Sequence, residues 1–454
     1  MKIIIAGGGK VGYSVAETLS GEGHDITVID EDPMVIDRVS NSLDVICVQG
    51  SAANPETLRE AGATRADLLL AATEKDEVNM ICGIAARRLG TKQVAARIRD
   101  PEYLQQKAFL QEALGLNLII NPEYECAREI SRILRFPSAV RVDTFSKGSV
   151  EIVDYRVPEN SVLNGMELRR IPTACGAKVL VVVVERGGEA VIPNGDFVLR
   201  GGDMLSLAGA NPELRRFFVS LGQYRRPVKN VMIMGGGRIA VYLTRMLQES
   251  GVSVTVFERD AARCERLCDL IPRASVICGD ATRGDVLSEE GIQMADAFVA
   301  LTGDDGDNII TSMYALRCQV PKIVTKVNRD HFADILESAG LDSVVAPKEL
   351  VAQQLLGYVR ALNESIGGSM ETLHRLADGR VEALEFRVGE DSRLVGLPLR
   401  DLKLKKNILI STVIRDGRSI IPDGATELRA GDHAVIVTQS GRVTGLDQIL
   451  EGAK

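Results

Sequence analysis

Residues 3–30 decide the fold of the first part of the chain, and they read IIIAGGGKVGYSVAETLSGEGHDITVID. A short apolar run is followed at once by the spacing Gly7-x-Gly9-x-x-Gly12, then by an amphipathic stretch and a second apolar run that ends at Asp30. A strand, a glycine turn, a helix and a second strand in this order are typical of a dinucleotide-binding βαβ unit. The first glycine permits the tight turn, the second lets the backbone approach a pyrophosphate, and the third lets the helix pack on the strand.

The same pattern returns about half a chain later. Residues 231–258 read VMIMGGGRIAVYLTRMLQESGVSVTVFE, with Gly235-x-Gly237-x-x-Ala240 after the apolar run and Glu258 at the end. Alanine is tolerated at the third position. A glycine-rich turn can also arise from packing alone, but both turns here have the strand, the helix and an acid 18 residues beyond the pattern. We therefore expect two nucleotide-binding folds in one chain.

The acid at the tip of the second strand indicates which nucleotide would bind. Asp30 and Glu258 can each accept hydrogen bonds from the two hydroxyls of an adenosine ribose. A 2′-phosphate would be repelled, so NADP is disfavoured. Because NAD, NADH, ATP and ADP all carry this diol, the sequence leaves the choice among them open.

The repeat extends well beyond the glycine turns. Thr73 and Thr302 are 229 residues apart, and Glu151 and Glu382 are 231 apart, so one register holds with small loop insertions. Strand-like and helix-like patterns alternate through the first part of each half. This alternation predicts an α/β fold class, with two tandem Rossmann-like doubly wound parallel sheets.

Each half ends in a different kind of pattern. From about residue 140 the apolar residues have the spacing of short strands, and the turn IPNG at 192–195 is repeated as IPDG at 421–424. Proline fixes φ and glycine supplies positive φ, so both are turn signals. A small β-rich α+β module is therefore expected after each sheet. The predicted domains are residues 1–137, including a crossover helix, then 140–225, 228–363 and 372–454.

Composition argues against several classes of protein. A net charge of −8 and a pI near 5.4 offer no basic stripe for nucleic acid. The longest apolar run, residues 179–184, is far shorter than the roughly 20 residues that span a bilayer. The four histidines and eight cysteines have no metal-ligand spacing. We expect no metal site and no catalytic residues.

Several motifs together resemble one family. They are the paired glycine turns, the Thr-x-x-Asp-x-x-Asn stretches at 73–79 and 302–308, the sequence GDAT at 279–282, and the turns of the β-rich modules. In this order the chain resembles, over essentially its whole length, the TrkA family of Trk-type potassium uptake systems, whose members consist of two tandem RCK (or KTN) units. The resemblance implies a cytoplasmic regulatory subunit that binds NAD or NADH, with ATP or ADP as further candidates.

The resemblance also implies partners and contacts. The partner would be a potassium-translocating membrane subunit of the TrkH or TrkG type, which would hold the chain at the cytoplasmic face of the inner membrane. Four chains supply the eight nucleotide folds of a common RCK ring, so a homotetramer is expected. The implied nucleotide contacts are Gly7, Gly8, Gly9, Lys10, Val11, Gly12, Asp30, Ser51, Thr73, Glu74 and Arg97 in the first half, and Gly235, Gly237, Arg238, Ile239, Glu258, Asp280, Thr302, Gly303 and Lys326 in the second.

Some of these assignments have alternatives. Arg97 and Lys326 could be only the polar ends of buried strands, and Asp76 and Asp305 could serve only as helix-start acids. Ser51 stands where the second half has an aspartate, so the two sites need not prefer the same nucleotide. The alternative function is an NAD-dependent oxidoreductase. Hydride transfer needs a substrate domain that faces the nicotinamide, whereas the two copies of the repeat occupy almost the whole of this chain.

Overall fold

The computed structural model divides the chain into two compact units. It describes residues 1–136, 138–222, 227–328, 336, 339–341, 343–362, 368–439 and 443–452. The predicted domain ends at residues 137, 225, 363 and 454 lie outside the described residues. The first unit is Met1–Ser131 with Val228–Ala352, and the second is Arg132–Pro227 with Gln353–Lys454.

The first unit begins with the first nucleotide fold, a six-stranded parallel sheet in the order β3-β2-β1-β4-β5-β6. Its central strands are apolar on both faces because helices cover both. The strands are β1 (Lys2–Ala6), β2 (Asp25–Asp30), β3 (Ile46–Gln49), β4 (Leu68–Ala71), β5 (Gln93–Arg97) and β6 (Leu118–Ile120). The helices are α1 (Lys10–Gly21), α2 (Pro33–Ser42), α3 (Pro55–Glu60), α4 (Asp76–Leu89), α5 (Pro101–Gln105), α6 (Lys107–Leu114) and α7 (Pro122–Arg135).

The first β-rich module is a five-stranded antiparallel sheet in the order β10-β9-β11-β8-β7. Its buried side chains form one core with the two short helices of the module. The strands are β7 (Arg141–Phe145), β8 (Val150–Arg156), β9 (Leu180–Arg186), β10 (Glu189–Val191) and β11 (Met204–Gly209). The helices are α8 (Ile171–Cys175) and α9 (Asn211–Ser220).

The second nucleotide fold repeats the strand order of the first, β14-β13-β12-β15-β16-β17, again with parallel pairing. The prediction of two Rossmann-like sheets is confirmed. The strands are β12 (Asn230–Met234), β13 (Ser253–Glu258), β14 (Ser275–Cys278), β15 (Ala297–Ala300), β16 (Lys322–Lys326) and β17 (Val344–Val345). The helices are α10 (Arg238–Glu249), α11 (Ala261–Leu270), α12 (Gly284–Glu289), α13 (Asp305–Arg317) and α14 (Pro347–Leu362).

The second β-rich module also repeats its counterpart, with the order β18-β19-β22-β20-β21. Its first strand begins at Gly368, four residues before the predicted start of this domain at 372. The strands are β18 (Gly368–Leu376), β19 (Val381–Val388), β20 (Ile408–Arg415), β21 (Arg418–Ile420) and β22 (His433–Thr438).

The two β-rich modules pack on each other within the second unit. A shared apolar core joins them. Asp143 Oδ1 of the first lies 2.9 Å from His374 Nδ1 of the second. These two residues are 231 apart, the register shift of the repeat, so the modules meet about a pseudo-two-fold axis. Near this axis the backbone N–H of Ser146 donates to Glu385 Oε2 at 3.0 Å.

Candidate functional site

The first glycine turn joins β1 to α1 with very little space around it. Gly7 has φ of +110°, and its N–H donates to the Ile29 carbonyl at 2.7 Å. A Cβ on Gly12 would overlap the Gly7 carbonyl oxygen and lie 2.9 Å from its carbon. At Gly9, in contrast, no described atom lies within 4 Å of a Cβ position, and no described side chain caps α1. The turn therefore packs against the fold at both ends and leaves the first amides of α1 open, as an anion site requires.

Asp30 ends β2 beside this turn. Its carboxylate accepts the N–H of Gly8 at 2.7 Å on Oδ2 and the N–H of Asp32 at 3.0 Å on Oδ1. An ionised carboxylate has about four acceptor positions, so about two remain for the hydroxyls of a ribose. The acid thus orients the glycine turn and stays available to a ligand.

The second glycine turn has the same form with more room. Gly235 has φ of +100°, and its N–H donates to the Phe257 carbonyl at 2.8 Å. Ala240, at the position of Gly12, is fully buried with its methyl group accommodated. Gly237 faces open space, and no described side chain caps α10. Lys10, Val11, Arg238 and Ile239 all lie in the first turn of their helices.

Glu258 ends β13 and is more buried than its counterpart in the first fold. It accepts the N–H groups of Gly236 and Asp260, both at 3.0 Å, and lies 3.3 Å from Arg263 Nη1. Burial alone would raise the pKa of Glu258, but the two N–H donors and the guanidinium outweigh it and hold this pKa below its ordinary value. Glu258 is therefore an anion with fewer free acceptor positions than Asp30.

A buried asparagine ties the next two strand ends together in each fold. Asn79 accepts the N–H of Thr73 at 2.8 Å and donates to the Arg97 carbonyl at 2.8 Å. Asn308 repeats this, with the N–H of Thr302 at 2.9 Å and the Lys326 carbonyl at 2.9 Å. The asparagines hold the carboxyl ends of neighbouring parallel strands at one edge, where α/β sheets bind ligands.

The acids at the starts of α4 and α13 interact favourably with the helix dipole, and they also accept hydrogen bonds from another loop. Asp76 accepts the N–H groups of Arg99 and Asp100, at 2.8 and 2.9 Å. Asp305 accepts both the backbone and the side-chain N–H of Asn328, at 3.0 and 2.8 Å. Each acid therefore fixes the loop that follows the fifth strand.

The two cations at the fifth strands differ in their partners. Arg97 Nη2 lies 3.5 Å from Glu123 Oε1, while its buried Nε has no hydrogen-bond partner among the described residues. Lys326 Nζ donates to the Thr302 carbonyl at 2.6 Å. Burial lowers the pKa of both groups from the ordinary value, partly countered for Arg97 by Glu123. Both cations are therefore poorly solvated, which favours an anionic partner.

The remaining predicted residues lie at the same edges with fewer contacts. Ser51 follows β3, and Glu74 is exposed after β4. Asp280 accepts the hydroxyl and the N–H of Thr282, which lower its pKa. This pairing makes Asp280 part of its own turn, and leaves its predicted nucleotide contact as a hypothesis.

The two nucleotide folds meet within the first unit. Tyr242 of α10 donates to the Arg99 carbonyl at 2.9 Å and lies 3.1 Å from Asn121 Nδ2. Its ring packs edge-to-face on Tyr124, with ring centroids 5.5 Å apart. A cavity of about 550 Å³ also lies between the two folds, beside Lys10 at the end of the first glycine turn. The cavity is lined by Lys10, Tyr13 and Arg38 of the first fold and by Gly303, Asp304, Asp305, Gly306, Asn328 and Lys348 of the second. The structure thus brings together Lys10 and Gly303, which the sequence had assigned to separate sites.

Comparison with known proteins gives the family. The TrkA-N domain model matches residues 3–122 and 231–347, more than half of the chain, and the TrkA-C domain model matches 152–222 and 383–450. The chain belongs to the TrkA family. Relatives include a Trk system potassium uptake protein TrkA homolog of Archaeoglobus fulgidus, 32% identical over 99% of this chain and 100% of that protein. The TrkA of Halomonas elongata is 32% identical over 99% of each.

Solved structures give the same fold. The GsuK channel bound to NAD superposes with a TM-score of 0.63 at 19% identity, over 97% of this chain and 77% of that one. The GsuK RCK domain has a TM-score of 0.63 at 20% identity, over 97% of this chain and 92% of that one. The tandem RCK layout expected for a TrkA chain is therefore confirmed. No helix in the described part of the chain is long and apolar enough to cross a bilayer.

Several residues of this TrkA site were missed or undervalued by sequence reasoning. Gly236 was not among the predicted contacts, yet a Cβ there would overlap the Leu267 side chain. The run of three glycines in both turns was the sequence signal for it. Arg38 Nη2 donates to the Gly8 carbonyl at 2.8 Å and packs over the ring of Tyr13 at 5.5 Å. Lys348 had no local signal, because its place in the cavity depends on contact between the two folds.

Proposed function

We propose that this chain is the cytoplasmic, nucleotide-binding gating subunit of a Trk-type potassium uptake system, acting on a membrane subunit of the TrkH or TrkG type. The observation that carries the proposal is the duplicated glycine turn, with open helix amides and a hydrogen-bonded acid at each, in a chain of the TrkA family. Relatives of full length are named potassium uptake proteins.

The proposed ligands are NAD or NADH, with ATP or ADP as competitors. The phosphates would accept N–H groups at the start of α1 or α10, beside Lys10 or Arg238, and the ribose would bind Asp30 or Glu258. Two GsuK structures, one bound to NAD and one to ADP, support adenine nucleotides as the ligand class. The poorly solvated cations Arg97 and Lys326 favour an anionic ligand at the same edge.

The coupling would use the cavity between the two nucleotide folds. A phosphate chain at Lys10 would extend toward the loop of Gly303 and toward Lys348, which line the same cavity and belong to the other fold. A nucleotide shifts a conformational equilibrium only by its difference in affinity for two arrangements, typically about 1–3 kcal/mol. Nucleotides with different phosphate lengths would contact the second fold differently and therefore favour different arrangements.

The proposed assembly is a homotetramer, in which four chains contribute eight nucleotide folds. It would lie at the cytoplasmic face of the inner membrane through its membrane subunit. Light scattering of the purified chain, with and without nucleotide, tests the assembly. A monomer at micromolar concentration under both conditions would contradict it.

The deciding experiment is rubidium uptake into liposomes that hold a TrkH-type membrane subunit, with this chain and NAD, NADH, ATP or ADP added in turn. We expect the flux to differ among nucleotides and the difference to be reduced in Asp30→Asn and Glu258→Gln. Glu390→Gln, an exposed acid outside the nucleotide folds, is the control. Equal flux with every nucleotide and with none would refute the gating role. Turnover of NADH with small carbonyl compounds would instead favour the oxidoreductase.

A further inference from the structure

Three side chains of metal-ligand type converge in the second β-rich module, away from the nucleotide sites. They are Glu371 of β18, Glu385 of β19 and His433 of β22, one from each of three adjacent strands. His433 Nδ1 lies 3.0 Å from Glu385 Oε1 and 3.2 Å from Glu371 Oε2. In the part of the chain that the structure describes, these three form the one group of acids, histidines and cysteines close enough to share an ion.

The distances from His433 Nδ1 to the two carboxylate oxygens fit a coordination sphere. Neighbouring ligands at about 2.0–2.1 Å from an ion are about 2.8–3.0 Å apart in an octahedral site and about 3.3–3.4 Å apart in a tetrahedral one. The two N···O distances lie within the span of these values. Glu385 also accepts the backbone N–H and the hydroxyl of Ser146. Nδ1 faces both carboxylates, however, and it carries at most one hydrogen, so without an ion it cannot donate fully to both. A cation between the three atoms satisfies both carboxylates.

The backbone is shaped so that these side chains meet. Residue 433 pairs with Arg387, two positions from Glu385, so Glu385 and His433 share one face of the sheet. On the other side of β19 the register shifts between Met370 and Thr372, which leaves Glu371 as the extra residue of a β-bulge. A bulge re-aims a side chain, and here it is Glu371 that reaches the other two.

The first β-rich module provides an internal comparison. In the register of the repeat, Asp154 corresponds to Glu385 and Met204 to His433. Asp154 accepts the hydroxyl of Ser206 at 2.6 Å instead. The carboxylate position has therefore kept an acid in both modules, but an imidazole stands beside it only in the second.

We propose that Glu371, Glu385 and His433 bind a first-row divalent transition-metal ion such as Zn²⁺. An imidazole with two carboxylates suits these ions, whereas Mg²⁺ and Ca²⁺ prefer oxygen ligands alone. Glu385 is 1% exposed, Glu371 is 39% exposed and His433 28%, so the site has one buried anchor and access for an ion from solvent. The proposal does not depend on nucleotide binding.

The ion would act on the contact between the two β-rich modules. Glu385 already accepts the N–H of Ser146, which belongs to the first module, at 3.0 Å. An ion on Glu385 and His433 would hold this carboxylate in the orientation that Ser146 requires. Metal binding is therefore expected to raise the melting temperature of the second unit.

The test is a calorimetric titration of Zn²⁺ into the full chain, with Co²⁺ absorption as a second readout. Glu371→Gln removes a ligand at an exposed position and His433→Gln removes the imidazole; both should weaken binding at least tenfold and abolish the metal-induced rise in melting temperature. Glu390→Gln, in the same module, should bind as the wild type does.

Cobalt distinguishes this site from the cysteines. Thiolate ligands produce intense charge-transfer bands, whereas an oxygen and nitrogen site gives only weak d–d bands. Weak bands that disappear in Glu371→Gln would support the proposal. Equal affinity in the wild type and both variants, thiolate bands alone, or no binding at all would overturn it. The melting temperature of each metal-free variant shows whether it is folded. If His433→Gln is unfolded, the titration of Glu371→Gln decides the test.

Discussion

Gly12→Ala should damage the first nucleotide site although it adds only one methyl group. The new Cβ would lie 2.9 Å from the Gly7 carbonyl carbon and overlap its oxygen, where ordinary contact begins at about 3.4 Å. Helix α1 or the glycine turn must therefore move by more than about 1 Å to relieve the overlap. Such overpacking costs about 1–3 kcal/mol, and the greater helix preference of alanine offsets at most about 1 kcal/mol of it.

The effect on ligand binding should exceed the effect on stability. Displacing α1 moves the amides that would hold the phosphates, and we expect nucleotide binding at least tenfold weaker, or about 1.4 kcal/mol. Isothermal titration in a Glu258→Gln background, which weakens the second site, measures the first site alone. Thermal unfolding of the same protein measures the cost in stability.

The second glycine turn supplies the matched control. Ala240 already holds the methyl group that Gly12 cannot, so Ala240→Gly should leave second-site binding almost unchanged. It should cost at most about 1 kcal/mol in stability, the usual penalty for glycine in a helix. If Gly12→Ala binds nucleotide and melts like the wild type, the tight approach of α1 to β1 is not a requirement of the site, and the reasoning fails.

Two further predictions concern single carboxylates. Asp30→Asn keeps one acceptor oxygen for the glycine turn but loses the negative charge. The affinity of the first site for NAD or ADP should therefore fall by about 1–3 kcal/mol in a titration, while the melting temperature changes little. An unchanged isotherm would contradict the ribose role of Asp30. Burial raises the pKa of Asp154 to about 7, against the opposing effects of Arg141 and Ser206. The neutral side chain therefore contributes to the stability of the fold below about pH 4, and this contribution to stability is lost as the pH rises through 7. Because Asp154 keeps some contact with solvent, the change in the free energy of unfolding between pH 4 and 8 should be about 1–2 kcal/mol smaller in Asp154→Asn than in the wild type. Denaturant unfolding at several pH values measures this difference. Parallel pH profiles for the two proteins would refute it.

The fold was largely predictable because its signals are local. Strands β1 and β2 lie at the two apolar runs that flank the first glycine turn and its helix, since each is a short buried run between turn residues. The predicted domain start at residue 372 falls inside β18, which begins at Gly368. Its first residues, Gly-Ser-Met, lack the alternation that marks a strand with one buried face.

The candidate sites were predictable only in part, because much of their chemistry depends on contacts between distant segments. The glycine turns and the acids at residues 30 and 258 follow from spacing within one βαβ unit. The sequence treated Arg97 and Lys326 as equivalents, yet Arg97 lies near Glu123 and Lys326 binds its own fold's Thr302 carbonyl. Likewise, no sequence window contains Glu371, Glu385 and His433 together, since three strands and a bulge assemble them.

The Asp143–His374 contact has a consequence for which surfaces can pair. Because the two residues occupy equivalent positions of the repeat, a first module that met a first module from another chain would bring two aspartates together. Two second modules would bring two imidazoles together. Each aspartate would lose the imidazole that it faces in this chain, and two carboxylates in close contact disfavour each other's charge. The contact therefore favours pairing of a first module with a second module over pairing of two copies of the same module.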